Sequence, residues 1–336
     1  MSQRFPALSP LLRSSLQCAP GIVLCVFLAF AAAALATFGG SGVLWALLAG
    51  TAIASVWQPS AALIQGIEFS AQYILRIGVA LLGFQISASA VQVLGAATIA
   101  ALVANVAIIL VIGYAAGPLF GIERNLSLVL AASVAICGAA AAAAFALAIP
   151  REAISKRDLG CTIGIVSLLS LAAMLVYPVL ASLLHLNSFE TGVLLGATIH
   201  EVVHAVGAGY SVDTTTGDVA TVTKLLRVAL LAPALMLVVV ACGEKEKTAP
   251  IVRPPLFLVA FAIFAAANIA GLVPAAIVNV AAPSSRFFLL MAMAAIGLML
   301  PWRSVFSYGW RPVALLLFLS AILFALMAAF VSRMSL

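Results

Sequence analysis

The stretch TGVLLGATIHEVVHAVGAGYSVD, residues 191–213, carries His200, Glu201 and His204 in the order His-Glu-x-x-His. If the stretch is helical, the two imidazoles share a face and Glu201 sits about 100° round from His200, as in a zinc-dependent protease. Such an enzyme also needs a third ligand and an open metal position for water. The nearest acids, Asp213 and Asp218, fall in the polar connection DTTTGD, and no second acidic motif lies within an apolar helix. An ionisable group in hydrocarbon costs several kcal/mol unless it is paired or watered. The three side chains are therefore read as a substrate or proton site, with Glu201 and His200 as proton-handling groups. A purely structural hydrogen-bonded pair is one alternative and an intramembrane zinc site another; no metal is expected.

Two further cations lie close by in sequence. Lys224 and Arg227, in VATVTKLLRVALLAP, are three residues apart and so on one helix face of an otherwise apolar segment. They could snorkel to the interface, neutralise Glu201, or hold an anion while Glu201 or a histidine takes a proton. Ala135, Ile136, Cys137, Gly138, Ala139 and Ala140, in LVLAASVAICGAAAAAAFALAIP, offer small side chains around a glycine. That pattern suits tight helix packing, or an unwound tip where the N–H groups of a half-helix face an anion. Arg76, two turns after Glu68, is expected to snorkel or pair at the interface. Asn105 and Asn268 could bridge helices or coordinate a cation, and His185 is expected to be solvated.

These residues must be positioned by membrane helices. Of the 336 residues 65% are hydrophobic and only 8% charged, with a mean hydropathy of +1.26; a soluble domain has about 25% charged residues. From about residue 20 to 333 the chain is a succession of apolar segments long enough to cross a bilayer, at 20–38, 42–57, 66–86, 90–115, 125–149, 158–184, 190–211, 218–242, 255–272, 285–300 and 311–333. The first of these is expected to be an uncleaved helix rather than a signal peptide. The basic pI places Lys and Arg in connections, where they orient the chain, and nucleic acid is not expected as a partner. Five cysteines without a CxxC pair suggest neither a zinc ribbon nor a disulfide framework. No Walker loop or cofactor motif is present, so neither direct use of ATP nor a cofactor is expected.

Two internal similarities suggest a topology. At an offset of 214, LLGFQISASAVQVLG lies on AIGLMLPWRSVFSYG, matching Gly83 with Gly297 and Gly95 with Gly309. At an offset of 60, RDLGCTIGIVSLL lies on GDVATVTKLLRVAL, matching Asp158 with Asp218. If every segment spans and the N-terminus is cytoplasmic, eight Lys/Arg fall on the cytoplasmic side (Arg4, Arg13, Arg124, Lys245, Lys247, Arg253, Arg303 and Arg311) against five. If 125–149 and 190–211 each enter and leave on one side, Arg151, Lys156 and Arg157 move inward and the count becomes eleven against two, Arg286 and Arg333. This satisfies the positive-inside rule and makes both similar pairs run in opposite directions, as inverted repeats require. The expectation is an all-α polytopic membrane protein of about 9–11 helices, nine of them spanning, with two discontinuous or re-entrant segments. Residues 1–336 are expected to form one transmembrane domain: an extra helix at 20–38, a first repeat region at 66–184 and a second at 190–333.

The stretches LRIGVALLGFQIS, AICGAAAAAA, GATIHEVVHAVGAGY and GDVATVTKLLRVALLAP, in that order, resemble the YeiH-like sulfate exporter family of bacterial inner membranes. Two positions depart from the family pattern: Ala140 stands where a serine is usual and His204 where a glutamine is usual. The resemblance implies a secondary transporter, not an enzyme, that exports sulfate or a related inorganic or organosulfur anion across the inner membrane. The charge count makes the N-terminus cytoplasmic, and H+ or Na+ is the coupling ion expected. The solute is expected to be lined by residues 135–140, His200, Glu201 and His204, with Lys224 and Arg227 supplying positive charge. An uncoupled anion channel is the competing non-enzymatic reading, and a homodimer is the assembly that analogy suggests.

Overall fold

The computed structural model describes residues 10–38, 41–57, 59–85, 88–149, 154–241, 256–299 and 309–334. The cations counted above at Arg4, Arg151, Lys245, Lys247, Arg253 and Arg303 lie outside them. Every regular element among the described residues is a helix, as hydrocarbon requires of a chain that must satisfy its own backbone. Seven helices are long and apolar enough to cross a membrane: Cys18–Ala36, Ala62–Gln85, Leu94–Phe120, Arg157–Leu183, Thr214–Val238, Ala275–Leu298 and Trp310–Val331. The shorter apolar helices Gly42–Val56 and Val259–Ile269 accompany them, and Arg124–Cys137 and Val202–Val212 belong to the two interrupted segments.

The chain forms two compact units. The first takes Met1–Phe84 and Val273–Leu300. Its helices are α1 (Pro10–Ala36), α2 (Gly42–Val56), α3 (Ala61–Phe69), α4 (Leu75–Leu82) and, later in the chain, α14 (Ala275–Leu298). A π-helical turn, Ser70–Ile74, joins α3 to α4. α1 crosses α3 where Gly21 faces Gly66: a Cβ on Gly21 would lie 2.7 Å from Gly66 Cα. α2 crosses α14 in the same manner at Gly50 and Gly297. Where no water is expelled between helices, such close backbone approach is a main source of association energy. Arg76 is exposed and its guanidinium lies 5.5 Å from the Tyr73 ring centroid, a surface placement.

The second unit takes Gln85–Leu272 and Pro301–Leu336. It contains α5 (Ala88–Ala116), α6 (Arg124–Ala132) with its π-turn Ser133–Cys137, α7 (Ala139–Ala148), α8 (Lys156–Leu183) and α9 (Ser188–Thr198). There follow α10 (Val202–Val212), α11 (Thr214–Ala229), α12 (Leu231–Ala241), α13 (Leu256–Ile269) and α15 (Trp310–Val331). Polar residues set the helix starts. The Ser155 hydroxyl accepts from Asp158 N–H at α8, and Asn187 and Glu190 form a reciprocal capping box at α9.

Two segment boundaries differ from the sequence reading. The break in DTTTGD is confined to Asp213: it caps α11 by accepting from Thr216 N–H at 2.7 Å, and the helix starts at Thr214. Asp218 therefore sits inside α11, where it accepts from the Tyr210 hydroxyl at 2.6 Å. VNVAAPSSR is not a break either, because α14 runs through it and the chain turns earlier, around Gly271 (φ 70°). Pro283 is tolerated in the helix interior and Ser285 returns its hydroxyl to Ala282 O at 2.9 Å, so the polar run needs no turn.

Gly95 and Gly309, matched at the offset of 214, share a backbone conformation, with φ 63°, ψ 162° inside α5 and φ 81°, ψ 159° at the N-cap of α15. Only glycine adopts this region readily.

Candidate functional site

Each interrupted segment breaks where its sequence is smallest or most polar. α6 ends in the π-turn and stops at Gly138, whose φ of 64° and ψ of −123° suit glycine alone, and α7 begins at Ala139. α9 ends at Thr198, Ile199 to Glu201 are non-helical, and α10 begins at Val202. The motif His200-Glu201-x-x-His204 thus straddles the break. This corrects the expectation that His200 and His204 share a helix face: the spacing that a zinc helix needs is absent. Among the described residues no group of three or more His, Cys, Asp or Glu is placed to hold a metal.

The second segment is a hairpin. Ser188, at the start of α9, donates to Asp213, just past the end of α10, at 2.8 Å, and Thr216 donates to Ser188 O at 3.0 Å. Both half-helices pack along α11: Gly192 and Gly196 meet Val219 and Ala220, and Gly209 meets Gly217 and Ala220. Residues 188–212 therefore enter and leave at the end of the unit where α11 begins.

The first segment opens the other way. α8 starts at Lys156, touches the second break near its middle through Ser167 and Ser170, and ends at Leu183 beside the start of α9. Its start is thus at the opposite end. Eight residue steps separate Ala148 from Lys156, a reach of at most about 29 Å, whereas the two helical stretches alone would add about 30 Å if α7 pointed away from that start. α6 comes from the same end as α7. Lys224 takes the carbonyl of Ile136, whereas Arg227, one turn further along α11, takes those of Val134 and Ala135.

At the meeting of the two tips the charges match the helix ends. Lys224, fully buried, donates to Ile136 O and Ile199 O at 2.8 Å each. Arg227, 1% exposed, donates through Nε and Nη2 to Ala135 O and Val134 O at 2.6–3.1 Å, with longer contacts to Gly196 O and Ile199 O. Both cations therefore cap the C-terminal carbonyls of α6 and α9, where positive charge is favoured. They were expected to supply charge to a solute; the structure turns them onto backbone instead, because a break in the membrane leaves carbonyls that nothing else satisfies.

The carboxylate sits at the other pair of ends. Glu201 precedes α10, and its Cγ would lie 2.9 Å from a Cβ on Gly138, at the start of α7. Its Oε1 accepts from the Ser167 hydroxyl at 2.6 Å, its Oε2 lies 3.1 Å from His204 Nδ1, and its backbone N–H donates to Ser170 at 2.9 Å. The Glu201 side chain is 18% exposed against 0% for His204. Of the residues that flank the junction, Ala139 and Val202 are half-buried and Ala140 is exposed. Ala135, Ile136, Cys137 and Gly138 are buried.

His200 faces elsewhere. Ser320 Oγ lies 3.0 Å from His200 Nε2 and 2.7 Å from Leu316 O, to which it donates. Nδ1 of His200 and Nε2 of His204 are buried without a hydrogen-bond partner. The sequence reading missed Ser167, Ser170 and Ser320, which are common residue types in apolar helices. Only the offset of 60, which places Ser167 on Arg227, pointed at α8.

The model of the family described as Conserved hypothetical protein 698 matches residues 20–316. Relatives named as membrane proteins match over most of their length. The UPF0324 membrane protein TauZ of Paracoccus denitrificans is 39% identical over 83% of this chain and 84% of its own. UPF0324 membrane protein RB0971 of Rhizobium meliloti is 40% identical over 88% and 87%, and UPF0324 membrane protein CT0845 of Chlorobaculum tepidum is 36% identical over 89% and 85%. The chain belongs to this UPF0324 family of multi-pass membrane proteins, consistent with the YeiH-like resemblance. No solved structure matches it.

Proposed function

We propose that this protein is a secondary transporter that carries a small anion, of the sulfate, sulfur-oxyanion or organosulfonate class, outward across the bacterial inner membrane, with Glu201 as proton carrier. The observation that carries the reading is the position of Glu201, a partly exposed carboxylate at the junction of two hairpins that open to opposite ends of their unit. Irregular backbone at membrane depth is tolerated where it lines a cavity, and half-helix tips that meet there are the sites of inverted-repeat transporters. Glu201 lies against the N-terminus of α7 and caps that of α10, and helix N-termini favour an anion. Glu201 occupies that position when charged, and protonation would free it for a solute. Na+ is the alternative coupling ion.

Counterflow of radiolabelled sulfate in proteoliposomes, with sulfite, taurine, phosphate and chloride as competitors, tests the reading. Saturable uptake is expected. Glu201→Gln should abolish proton-coupled transport and leave solute exchange; equal loss of both would make Glu201 structural.

A further inference from the structure

Asn105 lies on α5, whose buried stripe beyond Gly95 includes Thr98, Leu102, Val106 and Ile109. Asn105 is 5% exposed, yet neither its amide nitrogen nor its amide oxygen has a hydrogen-bond partner, and the hydroxyl of Thr98, seven residues earlier on the same face, has none either. A buried amide without partners is costly, and no water from the hydrocarbon can relieve it. Such a group is retained where a solute or solvent meets it.

The depth of Asn105 follows from how α5 packs against α6. Ser127 donates to Gly113 O. A Cβ on Gly117 would strike Ser127, and one on Gly113 would strike Ala131. The two helices are antiparallel, and every four residues back along α5 correspond to four forward along α6. Continued to the π-turn, which α5 also contacts, this register places Asn105 level with the break at Gly138 and Ala139. Lys224 and Arg227 occupy the carbonyls of that break, so the end of it that no cation covers is the N-terminus of α7, which favours an anion as does the Asn105 amide N–H.

We infer that Asn105 is a solute-contacting residue, a wall of the same site contributed by α5, whose amide N–H donates to the transported anion. This rests on the transport reading, and two measurements separate them: counterflow, and melting temperature in detergent without solute, for wild type, Asn105→Ala and Asn105→Leu. Leucine removes the unpartnered amide at similar volume. It should therefore raise the melting temperature by a few degrees while counterflow falls at least tenfold, and Asn105→Ala should raise the half-saturating sulfate concentration about tenfold. A leucine variant that melts no higher than wild type, or that transports at the wild-type rate, overturns the assignment. If wild type carries none of the anions, the transport reading fails, and the melting comparison alone then decides whether Asn105 is kept at a cost in stability.

Discussion

Glu201 and Gly138 are in contact across the junction of the two hairpins, and the contact leaves no room for a Cβ, which would come 2.9 Å from Glu201 Cγ. Each residue explains the other: the glycine turns the first hairpin with a backbone that other residues rarely adopt, and the space above it holds the carboxylate.

Gly138→Ala should therefore destabilise the protein by about 1–3 kcal/mol and reduce counterflow to background, because it displaces Glu201. Gly160→Ala, in the exposed part of α8 where a Cβ meets nothing within 4 Å, should be no less stable than wild type and gain up to about 1 kcal/mol. Melting curves of the two variants make the comparison.

Arg227→Lys keeps the charge but not the fork that reaches Val134 O and Ala135 O together. The substitution should cost about 1.5–3 kcal/mol. A variant as stable as wild type would show that capping the α6 carbonyls contributes nothing. Lys224→Met should be at least as damaging, since it strands two carbonyls, one from each hairpin.

The hairpin at 188–212 is held shut by Asp213. Partial burial pushes its carboxyl upward, but bonds from Thr216 N–H and from the Ser188 and Thr216 hydroxyls outweigh this and hold it below its ordinary value of 3.8. A depressed carboxyl stabilises the fold fully above that ordinary value and loses its contribution as pH falls through the folded one. The stability gap between wild type and Asp213→Asn should be constant above about pH 5 and shrink below about pH 4, as melting at stepped pH would reveal.

The opposite openings of the two hairpins can be read by labelling. In a background without other reactive cysteines, Leu184→Cys and Val212→Cys, both exposed, should react with an impermeant thiol reagent from one side of the membrane. Leu119→Cys and Ile154→Cys should react from the other.

Composition alone made this a polytopic helical membrane protein, because 65% apolar residues leave no other use for so long a chain. The breaks at Gly138 and His200–Glu201 were legible too, since small residues and ionisable groups inside apolar runs are where a membrane helix fails. Charge counting favoured same-side entry for both segments, and the Ser188–Asp213 bond gives that topology to the second.

What Lys224 and Arg227 do was decided only by the tertiary structure. In sequence they are two cations near an acid. Folded, they face carbonyls 25 to 93 residues away, because the ends of broken helices must be satisfied before any solute is. The same holds for His200 and His204: their spacing implies a shared face only if the helix is continuous. Whether it continues depends on what waits at its end, here Ser170 for the Glu201 N–H and Gly138 for its side chain, and those are supplied by other helices.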